Sequence, residues 1–297
     1  MIAAGLLLAL AAAGCGESSD DAGGATAAPS PRASSTATPV PVANPDDPDQ
    51  LYEGYGMVLD TPKEEPQLCL GSVEDSLPPQ CGGVPIEGWD WDVVEGEEAA
   101  GRTTWGDFRV VGTYDGETFT VHEAEPPKEV TDTESELFGT PCPEPEGGWE
   151  VPDPKRASQE VASKTQVAIQ EEPDFAAMWL DYYDRPPGPP TETTKGEVIL
   201  NVAFTGDLQR HEKEIRELWG GALCLSLHEH TQRELSKIQR EFPVEEFDLQ
   251  TLWSNLDVVR GVVQIGAVWI DAETLQRIED SYGPGVVEII PGLRPVD

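Results

Sequence analysis

The Pro- and Glu-rich segment at residues 126–154 constrains the fold most, because the spacing of apolar residues differs on its two sides. Residues 51–125 contain short apolar runs separated by turn residues, a pattern typical of β-strands. Residues 155–297 instead alternate strand-like runs with stretches of helical periodicity. We therefore predict an α+β protein with two modules, and we place the domain boundary in this connector.

The first module, residues 51–125, is predicted to be a small β-barrel-like fold, of which an OB-like barrel is one form. Asp115-Gly116 lies between two strand-like runs and is the strongest hairpin signal in the chain. The module contains seventeen acidic and three basic residues, which argues against binding of oligonucleotides. The predicted strands are Gly56–Asp60, Gln67–Gly71, Val84–Val94, Trp105–Tyr114 and Thr118–Ala124.

The second module, residues 155–297, has the element order expected of a ferredoxin-like βαβ-βαβ fold. Thr231 and Glu234 have the spacing of a capping box, and Asp271 is placed to cap the last helix. The predicted strands are Glu197–Phe204, Ala222–Leu227, a strand from Val258 or Gly261 to Ile270, and Val286–Ile290. The predicted helices are Lys155–Glu171, a shorter helix after Pro173, Asp207–Trp219, one that starts at Thr231, and one from Asp271 to Gly283.

The N-terminus carries a short apolar run that ends in Ala12-Ala13-Gly14-Cys15. This motif resembles a bacterial lipobox. The resemblance implies that residues 1–14 are a signal peptide and that Cys15 carries a diacylglyceryl group with palmitate-type acyl chains. Met1-Ile2 lacks the basic residues with which such leaders begin, so we expect the true translation start upstream. The run is too short to span a bilayer, which needs about 20 apolar residues, so the predicted anchor is the lipid.

Residues 15–50 are predicted to be a disordered tether, because they contain almost no large apolar side chain that could offset the entropy of ordering. Such a tether reaches about 30 Å as a coil and roughly 110 Å at full extension. The segments 77–83 and 88–91, and the heavy use of Ala, Gly, Pro, Arg and acidic residues, resemble secreted actinobacterial proteins of unassigned function.

Four cysteines follow Cys15, and an even number of cysteines outside the cytoplasm indicates disulfides. Four cysteines allow three pairings. We predict that Cys69 pairs with Cys81 inside the first module. Cys142 then pairs with Cys224 and ties the connector to the second module.

The acidic composition limits the partners that this chain can bind. The chain has 56 acidic and 19 basic residues, and its formal net charge is −37. A surface of this charge repels nucleic acid and anionic membrane surfaces, while cationic partners and divalent ions are easier to accommodate. Asp90, Asp92 and Asp107 contain the oxygen ligands that calcium prefers, although a solvated acidic loop is the favoured interpretation.

His228 and His230 are the strongest candidates for metal ligands. They are two residues apart at the end of a predicted strand, so both would point to one face, and His211 or Glu229 could add a third ligand for zinc. This spacing is common by chance, and His211 lies on the buried stripe of its predicted helix. We therefore predict no metal and no cofactor. The chain also lacks a nucleophile elbow, a phosphate-binding loop and an HExxH motif, so we do not favour an enzyme.

An aromatic stripe in the short helix predicted after Pro173 is the candidate binding surface. Phe175, Trp179, Tyr182 and Tyr183 follow the spacing of one helix face. Exposed aromatic residues of this kind dominate binding sites for glycans, peptides or partner helices. Stripes at helical spacing more often pack in a core, which is the interpretation we favour.

Together these patterns predict an exported, lipid-anchored envelope protein with a non-catalytic binding or scaffolding role at the extracytoplasmic face of the cell membrane. The expected partners are the membrane, through the lipid anchor, and envelope proteins or cell-wall material, but no nucleic acid. Two alternatives stay open. One is an extracytoplasmic metal-dependent hydrolase that uses His228 and His230, and the other is a carbohydrate- or peptidoglycan-binding protein.

Overall fold

The computed structural model describes residues 40–44, 47–127, 138–182 and 198–296, so the predicted signal peptide and Cys15 lie outside the described residues. None of the helices in these ranges has the length and apolar character needed to cross a membrane. The strands are β1 (Leu51–Thr61), β2 (Glu64–Cys69), β3 (Val84–Glu87), β4 (Glu98–Ala100), β5 (Thr103–Tyr114), β6 (Phe119–Glu125), β7 (Phe175–Asp181), β8 (Ile199–Phe204), β9 (Ala222–Leu227), β10 (Thr251–Asp257), β11 (Val262–Ala267), β12 (Val287–Pro291) and β13 (Leu293–Pro295). The α-helices are α1 (Gln159–Ile169), α2 (Leu208–Leu218), α3 (Gln232–Glu241) and α4 (Ala272–Tyr282), and 3₁₀ helices lie at Trp91–Val93 and Pro154–Arg156.

The strands of residues 51–125 form a sheet that closes on itself into a ring. The order around the ring is β1, β2, β3, β6 and β5, and β1 pairs with β5 from Leu51 to Asp60. β3 and β6 run parallel, whereas the other neighbours in the ring are antiparallel. The predicted hairpin at Asp115-Gly116 is confirmed, with Tyr114 opposite Phe119. β13, from the far end of the chain, extends this sheet by pairing with β1.

The core of the ring is filled by aromatic and aliphatic side chains around Phe108, which is 1% exposed. Trp89 and Trp91, at the 3₁₀ helix, meet the Phe108 ring edge to face at centroid distances of 4.8 and 6.0 Å. Val268 and Leu293 also belong to this core. The ring therefore buries residues from the C-terminal part of the chain as well as its own.

The rest of the chain forms two units that share the order helix, strand, strand, helix, strand. In the first unit β7 is antiparallel to β8, and β8 is parallel to β9 across the connecting helix α2. In the second unit β10 is antiparallel to β11, and β11 is parallel to β12 across α4. Each unit packs its helices on one face of its sheet, because Ile215 of α2 and Ile278 of α4 are fully buried against strand residues.

This arrangement confirms a mixed α+β fold but differs from the predicted ferredoxin-like module. The predicted strands are divided between two separate three-stranded sheets. Each sheet also contains one antiparallel strand that the prediction lacks. β7 replaces the short helix predicted after Pro173, and β10 lies in a predicted linker. β7 has buried residues on both faces, so its apolar run satisfies helical spacing as well as strand alternation.

The boundaries predicted for the helices at Asp207, Thr231 and Asp271 agree closely with α2, α3 and α4, whereas α1 begins at Gln159 and not at Lys155. The side chains of Asp207, Thr231 and Asp271 each accept a hydrogen bond from the backbone N–H three residues further on. At Thr231 the reciprocal bond is also present, because Glu234 accepts from the Thr231 backbone N–H at 2.9 Å. Gly283 ends α4 with a φ of 92°, a backbone conformation that favours glycine.

Both predicted disulfides, Cys69–Cys81 and Cys142–Cys224, are confirmed, with Cα separations of 6.0 and 5.8 Å. The second bond holds residues 138–149, which we call the strap, against the helix-free face of the first unit's sheet. The disulfides indicate an oxidising, extracytoplasmic environment.

The described end of the predicted tether packs against the fold. Ala43 is buried, and its backbone N–H donates to the Ile270 carbonyl at 2.7 Å. A short parallel bridge joins Ala43 to Asp271, and Val40 contacts the core of the second unit. Residues 40–44 therefore pack against the second unit.

Candidate functional site

His228 lies in the contact between the two αββαβ units. The residue is 9% exposed, and its ring stacks on Trp179 with the planes at 24° and the centroids 6.4 Å apart. It hydrogen-bonds to the backbone of Val259, while its Nδ1 atom has no hydrogen-bond partner in the described residues. A Cβ added at Gly261 would lie only 2.7 Å from that Nδ1 atom. The imidazole is thus held by packing on both sides.

Burial lowers the pKa of the His228 side chain, although the bond to Val259 and the charge of Asp257 act in the opposite direction. The imidazole is therefore neutral at neutral pH. A neutral, stacked and buried imidazole between two units contributes to packing, and its unpaired Nδ1 is turned toward Gly261 rather than toward an open ligand site.

His230 lies in different surroundings from His228. It lines an open groove of about 450 Å³ together with Glu234, Lys237 and Tyr282, between α3 and the end of α4. The described ranges, which include all four histidines, contain no group of three or more His, Cys, Asp or Glu placed to hold a metal ion. The hypothesis of a metal-dependent hydrolase therefore has no ligand set in the described part of the chain.

His211, the third candidate ligand, is 1% exposed and pairs with a carboxylate. Its Nε2 atom lies 2.8 Å from Oδ2 of Asp174, and its ring stacks on Phe204 at a centroid distance of 3.5 Å. Arg210 lies 3.4 Å from the same Asp174 oxygen. Burial alone would raise the pKa of Asp174, but the bond to His211 and the charge of Arg210 lower it overall. The cluster ties α2 to the start of β7.

The aromatic residues predicted to share one helix face lie at strand β7, whose register shifts between Phe175 and Ala177, so Phe175 and Trp179 lie on opposite faces although they are four residues apart. Phe175 packs under the helices of the first unit. Trp179 is 6% exposed on the other face, and its Nε1–H donates to the Gly139 carbonyl in the strap at 3.4 Å. Tyr182 follows the strand and is partly buried, and Tyr183 lies outside the described residues. Phe175 and Trp179 are therefore packed in the interior, which is the interpretation that the sequence analysis favours, although they lie on a strand and not on a helix.

The acidic residues considered for calcium form no group placed to hold a metal ion in the described part of the chain. Asp90 caps the 3₁₀ helix and accepts a hydrogen bond from the Asp92 backbone N–H at 2.9 Å. Asp107 is an exposed residue on β5. Asp90 and Asp92 therefore belong to a solvated acidic turn, in agreement with the favoured interpretation.

The helix-free face of the second unit's sheet presents a tryptophan that the sequence analysis did not single out. Strand pairing places Trp253 opposite Gly266, and Asn255 opposite Gln264. The parallel pairing of β11 with β12 continues these rows to Ile290 and Glu288. We call these six residues the open face. Asn255 is exposed and Trp253, Gln264, Glu288 and Ile290 are partly exposed, while the described helices of this unit pack on the opposite face.

Glu288 lies on the edge strand β12, at a corner of the open face, and is fixed there by three hydrogen bonds. The Arg260 guanidinium donates to its two oxygens at 2.7 and 3.0 Å, and the Gln264 amide donates at 3.0 Å. Burial alone would raise the pKa of Glu288, but these bonds lower it overall. The carboxylate is therefore ionised and held in one orientation.

Sequence reasoning missed this face because β10 lies in a predicted linker. Strand alternation is the signal that could have found it, because in a strand one face would carry Trp253, Asn255 and Asp257 and the other Ser254 and Leu256. Comparisons of the chain with protein-family models, curated proteins and solved structures found no match. The functional argument therefore depends on the geometry of these residues.

Proposed function

We propose that this chain is an exported protein that is held at the outer face of the cell membrane by lipid on Cys15 and has a non-catalytic binding or scaffolding role. The observation that carries this proposal is the pairing of all four cysteines downstream of Cys15 into two disulfides. Disulfides persist outside the reducing cytoplasm. Cys15 is then the only cysteine left for a different chemistry, and it ends the lipobox-like motif.

The length of the tether determines how far the folded chain can stand from the anchor. Twenty-four residues separate Cys15 from Val40, where the described chain begins to pack against the second unit. Such a length reaches about 25–30 Å as a flexible coil and about 85 Å when extended. A domain at the end of this tether stands clear of the bilayer and can engage envelope components.

A binding role is favoured over catalysis by the positions of the candidate groups. His211 and His228 are buried in packing contacts, and the Asp174 carboxylate pairs with His211 and Arg210. The open face, with its partly exposed Trp253, offers a surface for a ligand. A binding module also needs no cofactor, as the sequence analysis expects.

The ring sheet supports an OB-like topology for the first module. Its order of β1, β2, β3, β6 and β5, with β3 parallel to β6, is a closed ring of five strands of the kind found in OB-like barrels. Because acidic residues outnumber basic ones in residues 51–125, we do not propose an oligonucleotide ligand. In this proposal the first module is a scaffold.

Cell fractionation tests the proposal directly. The full-length chain and a Cys15→Ser variant are expressed with their native leader in a bacterial host, and membrane and soluble fractions are compared. We expect the wild-type chain in the membrane fraction and resistant to salt extraction, and the variant outside it. A wild-type chain that stays in the cytoplasm with free thiols would overturn the proposal.

A further inference from the structure

The open face carries a more specific inference, which deepens the proposed binding function and rests on it. We propose that Trp253, with Asn255 and Gln264 near it and Glu288 at the opposite edge of the same face, is a binding site for a neutral glycan built of hexose or N-acetylhexosamine units.

The indole of Trp253 lies flat on the sheet because its partner across the strands is a glycine. A Cβ added at Gly266 would overlap Cε2, Nε1 and Cδ1 of Trp253 almost equally, so the five-membered ring sits directly over position 266. One indole face is therefore pressed on the backbone and the other is turned away from the sheet. Trp253 belongs to none of the core clusters in the described residues. Its outer face is a rigid apolar platform.

Polar side chains border this platform at strand spacing. Asn255 lies two residues along β10 from Trp253, about 7 Å away, and its exposed amide has no hydrogen-bond partner in the described ranges. Gln264 donates its amide N–H to Glu288 and keeps its carbonyl oxygen for another donor. The Glu288 carboxylate is fixed by Arg260 and can still accept a hydrogen bond from a hydroxyl group. These groups are preorganised before any ligand arrives.

A sugar ring matches this combination of groups. One side of a hexopyranose presents C–H groups that pack on an aromatic face, while its equatorial hydroxyls both donate and accept hydrogen bonds at the rim. Asn255 and Gln264 amides satisfy both requirements, and Glu288 accepts from a hydroxyl. The formal net charge of −37 repels phosphate-rich and other anionic polymers, so the charge of the protein argues against an anionic glycan.

In the first unit the corresponding helix-free face of the sheet is covered. There Trp179 also lies on the helix-free side of the sheet, but it is 6% exposed. The strap covers that side, held by the Cys142–Cys224 bond and by hydrogen bonds from Thr140 to Asp181 at 2.7 and 2.8 Å. Trp253, by contrast, is partly exposed.

Calorimetric titration of the full extracellular chain with two defined tetrasaccharides tests the inference. The probes are the β-1,4-linked N-acetylglucosamine tetramer and cellotetraose. We expect at least one of them to bind with a Kd of about 1 mM or tighter. Trp253→Ala should weaken that binding about tenfold or more, and Asn255→Ala about threefold.

Tyr55→Ala serves as the matched control, because Tyr55 is an aromatic residue that is 53% exposed on the ring sheet. It should bind the tetrasaccharide as the wild type does. Trp253→Phe keeps an aromatic platform and should retain part of the affinity, which separates lost binding from lost folding. Binding of neither probe by the wild type, or unchanged binding by Trp253→Ala, would overturn the glycan site.

Fractionation of the same variants separates this inference from the proposed function. A Trp253→Ala chain that remains in the membrane fraction but binds no glycan supports both proposals. A wild-type chain that is membrane-anchored but binds neither tetrasaccharide overturns the glycan site and leaves the anchored protein in place. Binding of a protein partner at the open face, with no sugar binding, would likewise overturn the glycan assignment.

Discussion

Removal of the Cys142–Cys224 disulfide should destabilise the protein more than removal of Cys69–Cys81. The first bond closes a loop of 82 residues and the second a loop of 12. Loop-closure entropy then gives about 4.5 kcal/mol for the long loop and about 2.8 kcal/mol for the short one. Cys224 and Cys69 are 1% and 3% exposed, so the packing lost on substitution by Ala is similar in the two cases. The difference of about 1.7 kcal/mol therefore reports the lengths of the loops.

Urea unfolding of the double variants Cys142→Ala/Cys224→Ala and Cys69→Ala/Cys81→Ala measures this difference. Both are compared with the wild type under non-reducing conditions, with intrinsic fluorescence and circular dichroism as separate probes of the transition. We expect the long-loop variant to have the lower midpoint. Equal losses, or a larger loss for the short loop, would refute the reasoning from loop length.

The free energy of unfolding should fall as the pH drops from about 7 to 5.5, and His228 should contribute to this fall. The pKa of His228 in the folded chain lies below its unfolded value of about 6.5, so the unfolded chain takes up a proton that the folded chain does not. A His228→Gln variant should lose less stability over this range, by up to about 1 kcal/mol in urea unfolding, and parallel pH profiles would contradict this. Trp219 is 1% exposed and donates its Nε1–H to the Ala222 carbonyl at 2.7 Å. Trp219→Ala should therefore lower the free energy of unfolding by about 3–5 kcal/mol in a thermal unfolding assay. A loss below about 1 kcal/mol would argue against its place in the core. Thr231→Ala removes the capping box and should cost about 1 kcal/mol in the same assay, with no change if α3 does not depend on its cap.

Local signals in the sequence were sufficient for the turns and helix ends. The Asp115-Gly116 hairpin and the caps at Thr231 and Asp271 depend on residues within a few positions of one another, so their chemistry can be interpreted without the fold. The disulfide pairing also follows from sequence, because Cys69 and Cys81 lie in one predicted module.

The packing of the two αββαβ units could not be derived in the same way. β7 is buried on both faces, and its apolar run of six residues fits helix and strand equally well. The division into two sheets depends on which strands pair over long separations, which local periodicity does not encode. His228 illustrates the consequence, because the loop that covers it, at Val259 and Gly261, is some thirty residues away in the chain.

The open face was missed for a related reason. Trp253 becomes a platform only when β10 pairs with β11 and brings Gly266 beneath it. Neither residue is informative alone. Trp253 and Gly266 are thirteen positions apart, and the strand register that brings them together cannot be derived from local sequence patterns.

Intact-mass spectrometry of the mature protein under non-reducing conditions tests the central claim, that this is an exported and lipid-anchored chain. The protein is purified from a bacterial membrane after expression from a gene that includes the upstream codons. The account predicts a chain that begins at Cys15, carries a diacylglyceryl mass, and is lighter by the hydrogens lost in two disulfides. An uncleaved, unmodified chain with four free thiols at Cys69, Cys81, Cys142 and Cys224 would contradict it.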